Sequence, residues 1–92
     1  MDYHSSFPHL DKCKKAILAA FDQLGGRAER GRIVELASKL GNFTAAERSV
    51  PAPPSHRNYG TYLSYRLSWA LTHLRQDGAV ENPERGWWEL AA

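Results

Sequence analysis

NYGTYLSYRLSWALTHLRQDG, residues Asn58 to Gly78, places three tyrosines, one tryptophan, two arginines and one histidine on what reads as a single helix. An α-helix advances about 100° per residue. On that wheel Leu63, Leu67, Ala70, Leu71 and Leu74 fall together and form a complete apolar stripe. Tyr62, Tyr65, Arg66, Trp69 and His73 lie on the flank and far side of the stripe. The leucines fill the core face, so most of the aromatic rings are surplus to it and are expected to point outward. The helix is expected to start at Tyr59 or Thr61 and run to Asp77, with Gly78 as its stop.

Upstream, HLDKCKKAILAAFDQLGG sets Leu10, Cys13, Ile17, Ala20, Phe21 and Leu24 at helical spacing and ends on Gly25-Gly26. A second stripe of Ile33, Leu36, Ala37 and Leu40 ends at Gly41-Asn42. Gly26 to Ala28, between these helices, reads as a short strand. FTAAERS adds one helical turn capped by Thr44. VPAPPSHRN is then a proline-rich loop, because closely spaced prolines cannot sustain a helix. Downstream, AVENPERGWWEL reads as a hairpin: a strand from Ala79, a turn over NPERG, and a return through WWEL. Alternation directs Val80, Trp88 and Leu90 to the core and Trp87 and Glu89 outward. The core is expected to run through Ile17, Phe21, Ile33, Leu36, Leu63, Leu67, Leu74 and Trp88.

Three helices, a short strand and a C-terminal hairpin make an α+β layout, and in this order a winged helix-turn-helix. The hairpin is the wing. Residues 1–9 are expected to be a flexible start and 10–92 the winged-helix domain. The loop between the second and third helices is longer than the tight turn usual in the motif.

With 92 residues the chain is long enough for one modest core, and 42% apolar and 24% charged residues are a globular mix rather than a disordered one. A net charge of +2 permits a polyanionic partner without demanding one. Cys13 is the only cysteine, which excludes an internal disulfide and a thiolate zinc cluster. It is read as an inert core thiol. The sequence has no run long enough to span a membrane and no signal-peptide core, and the chain is read as cytoplasmic. No Glu-x-Lys or Gln-x-Lys of a magnesium-dependent nuclease site occurs, and His4, His9, His56 and His73 lack metal-ligand spacing. No catalytic residue, metal site or cofactor is expected; the chain reads as a recognition module.

An outward helix face with Arg, His and aromatic hydroxyls suits the DNA major groove, where Arg pairs with guanine and Asn with adenine. The candidates are His56, Arg57 and Asn58 before the helix, Tyr59, Tyr62, Tyr65, Arg66 and Trp69 on it, and Arg85 and Trp87 at the wing. Aromatic rings can also pack on a methyl group projecting into the groove. Each candidate has a plainer reading. Trp69 on a helix flank can pack against a neighbouring helix, and the wing tip and the residues before the helix can be solvated turns.

YRLSWALTHLRQDGAVENPERGWWEL resembles the end of the Mrr-type N-terminal domain, a winged-helix module that precedes the nuclease domain of modification-dependent restriction enzymes. The resemblance is carried by Arg66, Leu67, Ser68, Trp69, Ala70, Leu74, Gly78, Arg85, Gly86 and Trp88, and more loosely by ILAAFDQLGGRAERGRIVELASKLG. It implies binding of double-stranded DNA, a nuclease domain in the same longer chain, and a link to restriction of modified DNA. Related winged helices read N6-methyladenine through aromatic side chains, which makes that base the favoured target. Recurrence of a tryptophan at the place of Trp69 in the family pattern points instead to packing. VPAPPSHRNYGTYL departs most from the pattern. A stand-alone transcriptional regulator and a protein-interaction winged helix remain the alternatives; a regulator would normally need a dimerisation element, and none is visible.

Overall fold

The structure, a computed structural model, describes residues 9–91. The flexible start expected over residues 1–9 lies, His9 apart, outside the described residues. Along the chain run α1 (Leu10–Gln23), β1 (Arg27–Glu29), α2 (Arg30–Leu40), α3 (Ala45–Ser49), a 3₁₀ segment (Pro54–Tyr59), α4 (Tyr62–Gln76), β2 (Val80–Glu84) and β3 (Trp87–Leu90). The fold is α+β: helices on one side and a three-stranded antiparallel sheet of order β1-β3-β2. This is the winged-helix plan, with α2 and α4 as the helix pair and β2-β3 as the wing.

The helices form where apolar spacing and caps coincide. His9 Nδ1 accepts from the Asp11 amide at 3.3 Å and starts α1. Cys13, Ala16, Ile17, Ala20 and Phe21 then turn inward. On α2 the buried residues are Ile33 and Ala37, with Leu36 and Leu40 half-covered at the margin. Thr61 caps α4, its Oγ1 accepting from the Ser64 amide at 3.1 Å. Leu63, Leu67, Ala70, Leu71 and Leu74 are all buried, so the phase read from the sequence is the phase of the helix. Each large apolar side chain taken fully out of water contributes about 1.5–3 kcal/mol. Phe21, Ile17, Ile33, Leu67, Leu71 and Val80 are such side chains, and they join α1, α2, α4 and the sheet.

Between α2 and α4 the chain is more ordered than a loop. Thr44 and Glu47 make a reciprocal capping box: Thr44 Oγ1 accepts from the Glu47 amide, and Glu47 Oε1 accepts from the Thr44 amide at 2.8 Å. Glu47 is itself buried, and Lys12 reaches it from α1 at 3.2 Å. Burial pushes its carboxyl up, but the Thr44 amide and the Lys12 ammonium outweigh this and hold it below the usual carboxylate range. Gly41 ends α2 where a Cβ would fall 2.2 Å from the Phe43 ring, so the glycine lets Phe43 fold back into the core.

Three expectations need correction. VPAPPSHRN is not merely loop, because Pro54–Tyr59 forms short 3₁₀ turns with a kink at His56. Proline at the first positions costs such a turn no hydrogen bond. The wing turn is shorter than NPERG: β2 continues to Glu84 through an irregular pairing between Glu81 and Glu84, leaving Arg85 and Gly86 as the turn. Pro83 is tolerated because β2 is an edge strand. Leu90 is 39% exposed rather than in the core. Its Cδ1 lies beside Gly26, which has no side chain to cover it.

Candidate nucleic-acid interface

The N-terminal half of α4 and the 3₁₀ segment before it hold one aromatic cluster. Tyr65 is its centre, with ring centroids 4.7 Å from His56, 5.6 Å from Tyr59 and 5.7 Å from Tyr62. Pairs at these separations each contribute about 0.5–1.5 kcal/mol beyond burial. The cluster fixes the 3₁₀ segment against the helix. His56 is further held by its Nδ1, 2.8 Å from Ser55 Oγ. One turn along, Trp69 stands out from the helix at 42% exposure, its ring edge-on to His73 at 4.8 Å. A tryptophan this exposed on the flank of a core helix leaves much of an apolar ring in water.

Sequence reasoning missed the residue that organises this face. Arg30, the first residue of α2, reaches α4: its Nη1 donates to Ser68 Oγ at 3.1 Å and approaches the Tyr59 hydroxyl at 3.5 Å. Its guanidinium lies 5.4 Å from the centre of the Tyr59 ring. The Arg30 amide donates to the Gly86 carbonyl at 3.0 Å, tying the helix start to the wing turn. Among the described residues no carboxylate pairs with Arg30. The signal was indirect: Ser68 is a polar residue turned far enough toward α2 to be only 9% exposed, and a buried hydroxyl needs a partner.

Two open hollows flank Arg30. One, of about 240 Å³, is bordered by Arg30, His56, Tyr59, Tyr65, Ser68, Trp69, Thr72 and Trp88. The other, of about 310 Å³, runs between α2 and α4 past Val34, Asn58, Ser64 and Ser68. Trp88 borders the first hollow as well as the core, because β3 pairs it with Ala28 on the inner face of the sheet.

The remaining candidates are dispersed. Arg57 and Asn58 are exposed on the 3₁₀ segment, Asn58 at the mouth of the second hollow. Arg66 leans toward α1, with its guanidinium 4.4 Å from the Trp69 ring centre and its Nε buried without a hydrogen-bond partner. It also sits near enough to Cys13 to oppose the effect of burial, which pushes that thiol up to about 11. Arg85 is exposed at the wing turn. Trp87 points to the outer face of the sheet, away from the hollow, with Arg27 5.2 Å from its ring. Arg27 is neutralised there by Glu84 at 2.8 Å and Glu89 at 3.8 Å. Thus His56, Tyr59, Tyr62, Tyr65 and Trp69 converge, Arg57, Asn58 and Arg66 border them, and Trp87 stands apart.

No group of three or more His, Cys, Asp or Glu among the described residues could hold a metal ion. No described helix is long and apolar enough to cross a membrane.

A wing, a helix pair and an aromatic face with a hydroxyl-held arginine on the first helix of that pair define a winged-helix module. The chain belongs to the family of the Mrr N-terminal domain, whose model matches residues 11–92. It is therefore a domain associated with restriction systems. No curated protein and no solved structure matches it.

Proposed function

We propose that this chain is the double-stranded-DNA-binding module of a modification-dependent restriction endonuclease, reading a methylated base, N6-methyladenine in the first place, from the major groove. Residues 10–92 act as the binding domain, with no catalytic site of their own. The nuclease domain belongs to the rest of a longer, cytoplasmic protein. The observation that carries this reading is the face of α4. Its leucines complete the core, while Tyr59, Tyr62, Tyr65 and Trp69 gather with His56 and Arg30 on the other side.

Arg57 and Arg85 supply charge to phosphates on either side of that face, and Asn58 and Arg66 are the candidate base-edge readers. A methyl in the groove presents apolar surface that rings such as Trp69 remove from water. Mobility shifts on matched methylated and unmethylated duplexes, repeated over a range of salt, test the reading. Phosphate binding weakens steeply with salt. Salt-insensitive retention of a protein partner with no duplex bound would favour a protein-interaction winged helix instead.

A further inference from the structure

The hollow beside Trp69 is larger than a methyl group requires. A methyl occupies about one water-sized share of space, roughly 30 Å³, whereas the hollow offers about 240 Å³. Its walls are planar rings from three separate elements: Tyr59 from the 3₁₀ segment, Tyr65 and Trp69 from α4, and Trp88 from β3. Its polar lining is His56, Ser68, Thr72 and Arg30, and the Arg30 fork is held by the buried Ser68 hydroxyl and by Tyr59. Arginine has five N–H donors, and these two contacts leave others for a ligand. No carboxylate among the described residues competes for them. Ring walls and a fixed guanidinium are the chemistry that stacks and hydrogen-bonds a nucleobase.

We infer that this hollow is a pocket for one whole nucleobase, turned out of the duplex, with Arg30 as its hydrogen-bonding residue and Trp69 as its stacking wall. The inference rests on the DNA-binding reading and deepens it: the base, reached from the major-groove side, is turned out of the stack so that it is recognised inside the hollow. Unstacking a base costs free energy, and the cost is smallest where the pair is already weakened. A mismatch at the recognised position therefore tightens binding, while a mismatch elsewhere does not.

The test uses the intact chain and the duplex it binds most tightly. 2-Aminopurine, whose fluorescence is quenched by stacking, is placed next to each adenine in turn, where it stays in the duplex and loses a stacking neighbour if that adenine is turned out, while affinity is followed separately by anisotropy. The expected result is a several-fold fluorescence rise beside one adenine, and tighter binding by about tenfold when that adenine is mismatched. Trp69→Ala and Arg30→Ala should each remove the rise. Lys39→Ala, whose side chain pairs with Glu35 on another face, should keep it. Tight duplex binding with no rise at any position would overturn the pocket and leave the DNA-binding reading standing. Binding of free adenosine monophosphate without a rise in the duplex would make the hollow a nucleotide site and also overturn it. Failure to bind any duplex would overturn both readings.

Discussion

Leu67 and Trp69 lie two residues apart on α4 and face opposite ways: Leu67 is fully buried and Trp69 is 42% exposed. Their alanine variants should therefore separate stability from recognition. Leu67→Ala removes a buried aliphatic side chain at the junction of the helices and should cost about 2–5 kcal/mol. A domain of this size has only about 5–15 kcal/mol in total. Trp69→Ala removes one edge-on contact with His73 and the ring under Arg66. An aromatic pair and an exposed cation–π contact are together worth roughly 1–2 kcal/mol. Its larger effect should be on binding. If Trp69 covers the methyl of a modified base, each methyl buried contributes about 0.8 kcal/mol. Loss of that cover should reduce the preference for methylated DNA several-fold and leave the salt dependence of binding in place. Urea denaturation gives the first comparison and fluorescence anisotropy on paired duplexes the second. A folded Trp69→Ala protein with its full methyl preference, or one less stable than Leu67→Ala, would refute this division of the helix.

Three other expectations concern different parts of the molecule. Thr44→Ala breaks the capping box at α3 and should cost about 1 kcal/mol in denaturation; because the Glu47 carboxyl is held low in the folded state, the stability it contributes is present at neutral pH and should be lost on acidification through that lowered range. Cys13, buried and raised from 9.0 to about 11, should resist thiol reagents at pH 8 until the protein is unfolded, and its share of stability should fall as pH climbs from about 9 toward 11. Removing Arg57 or Arg85 should lower the slope of log affinity against log salt by roughly 0.9 for each phosphate that is no longer neutralised, an effect read from binding isotherms at several salt concentrations.

Much of the fold was legible because its signals are local. The leucine spacing of α4, the glycine stops after α1 and α4 and the alternation at Val80 and Trp88 each need only a short window of sequence. So did Thr44 as a cap. Leu90 broke the alternation because its cover depends on what stands opposite, and Gly26 offers nothing. Arg30 was illegible for a similar reason. Its hydroxyl partner Ser68 lies on another helix, and only the packing of α2 across α4 brings them to 3.1 Å. The 3₁₀ segment is hidden in the sequence because closely spaced prolines signal a break in any helix, while the contact that holds it, His56 against Tyr65, is tertiary. Trp87 and Trp88 are adjacent in sequence, yet the pleat sends one to the outer face with Arg27 and the other to the hollow.

The most direct measurement of the central claim is the affinity of the intact chain for matched duplexes with and without N6-methyladenine, in several sequence contexts at fixed salt. Two methyls in a palindromic site, at about 0.8 kcal/mol each with displaced water added, give roughly 2 kcal/mol. That corresponds to about a thirtyfold preference for the methylated duplex. The expected result is a preference of that order in at least one context, with salt-sensitive binding to both duplexes. Equal affinity for the two in every context would contradict it.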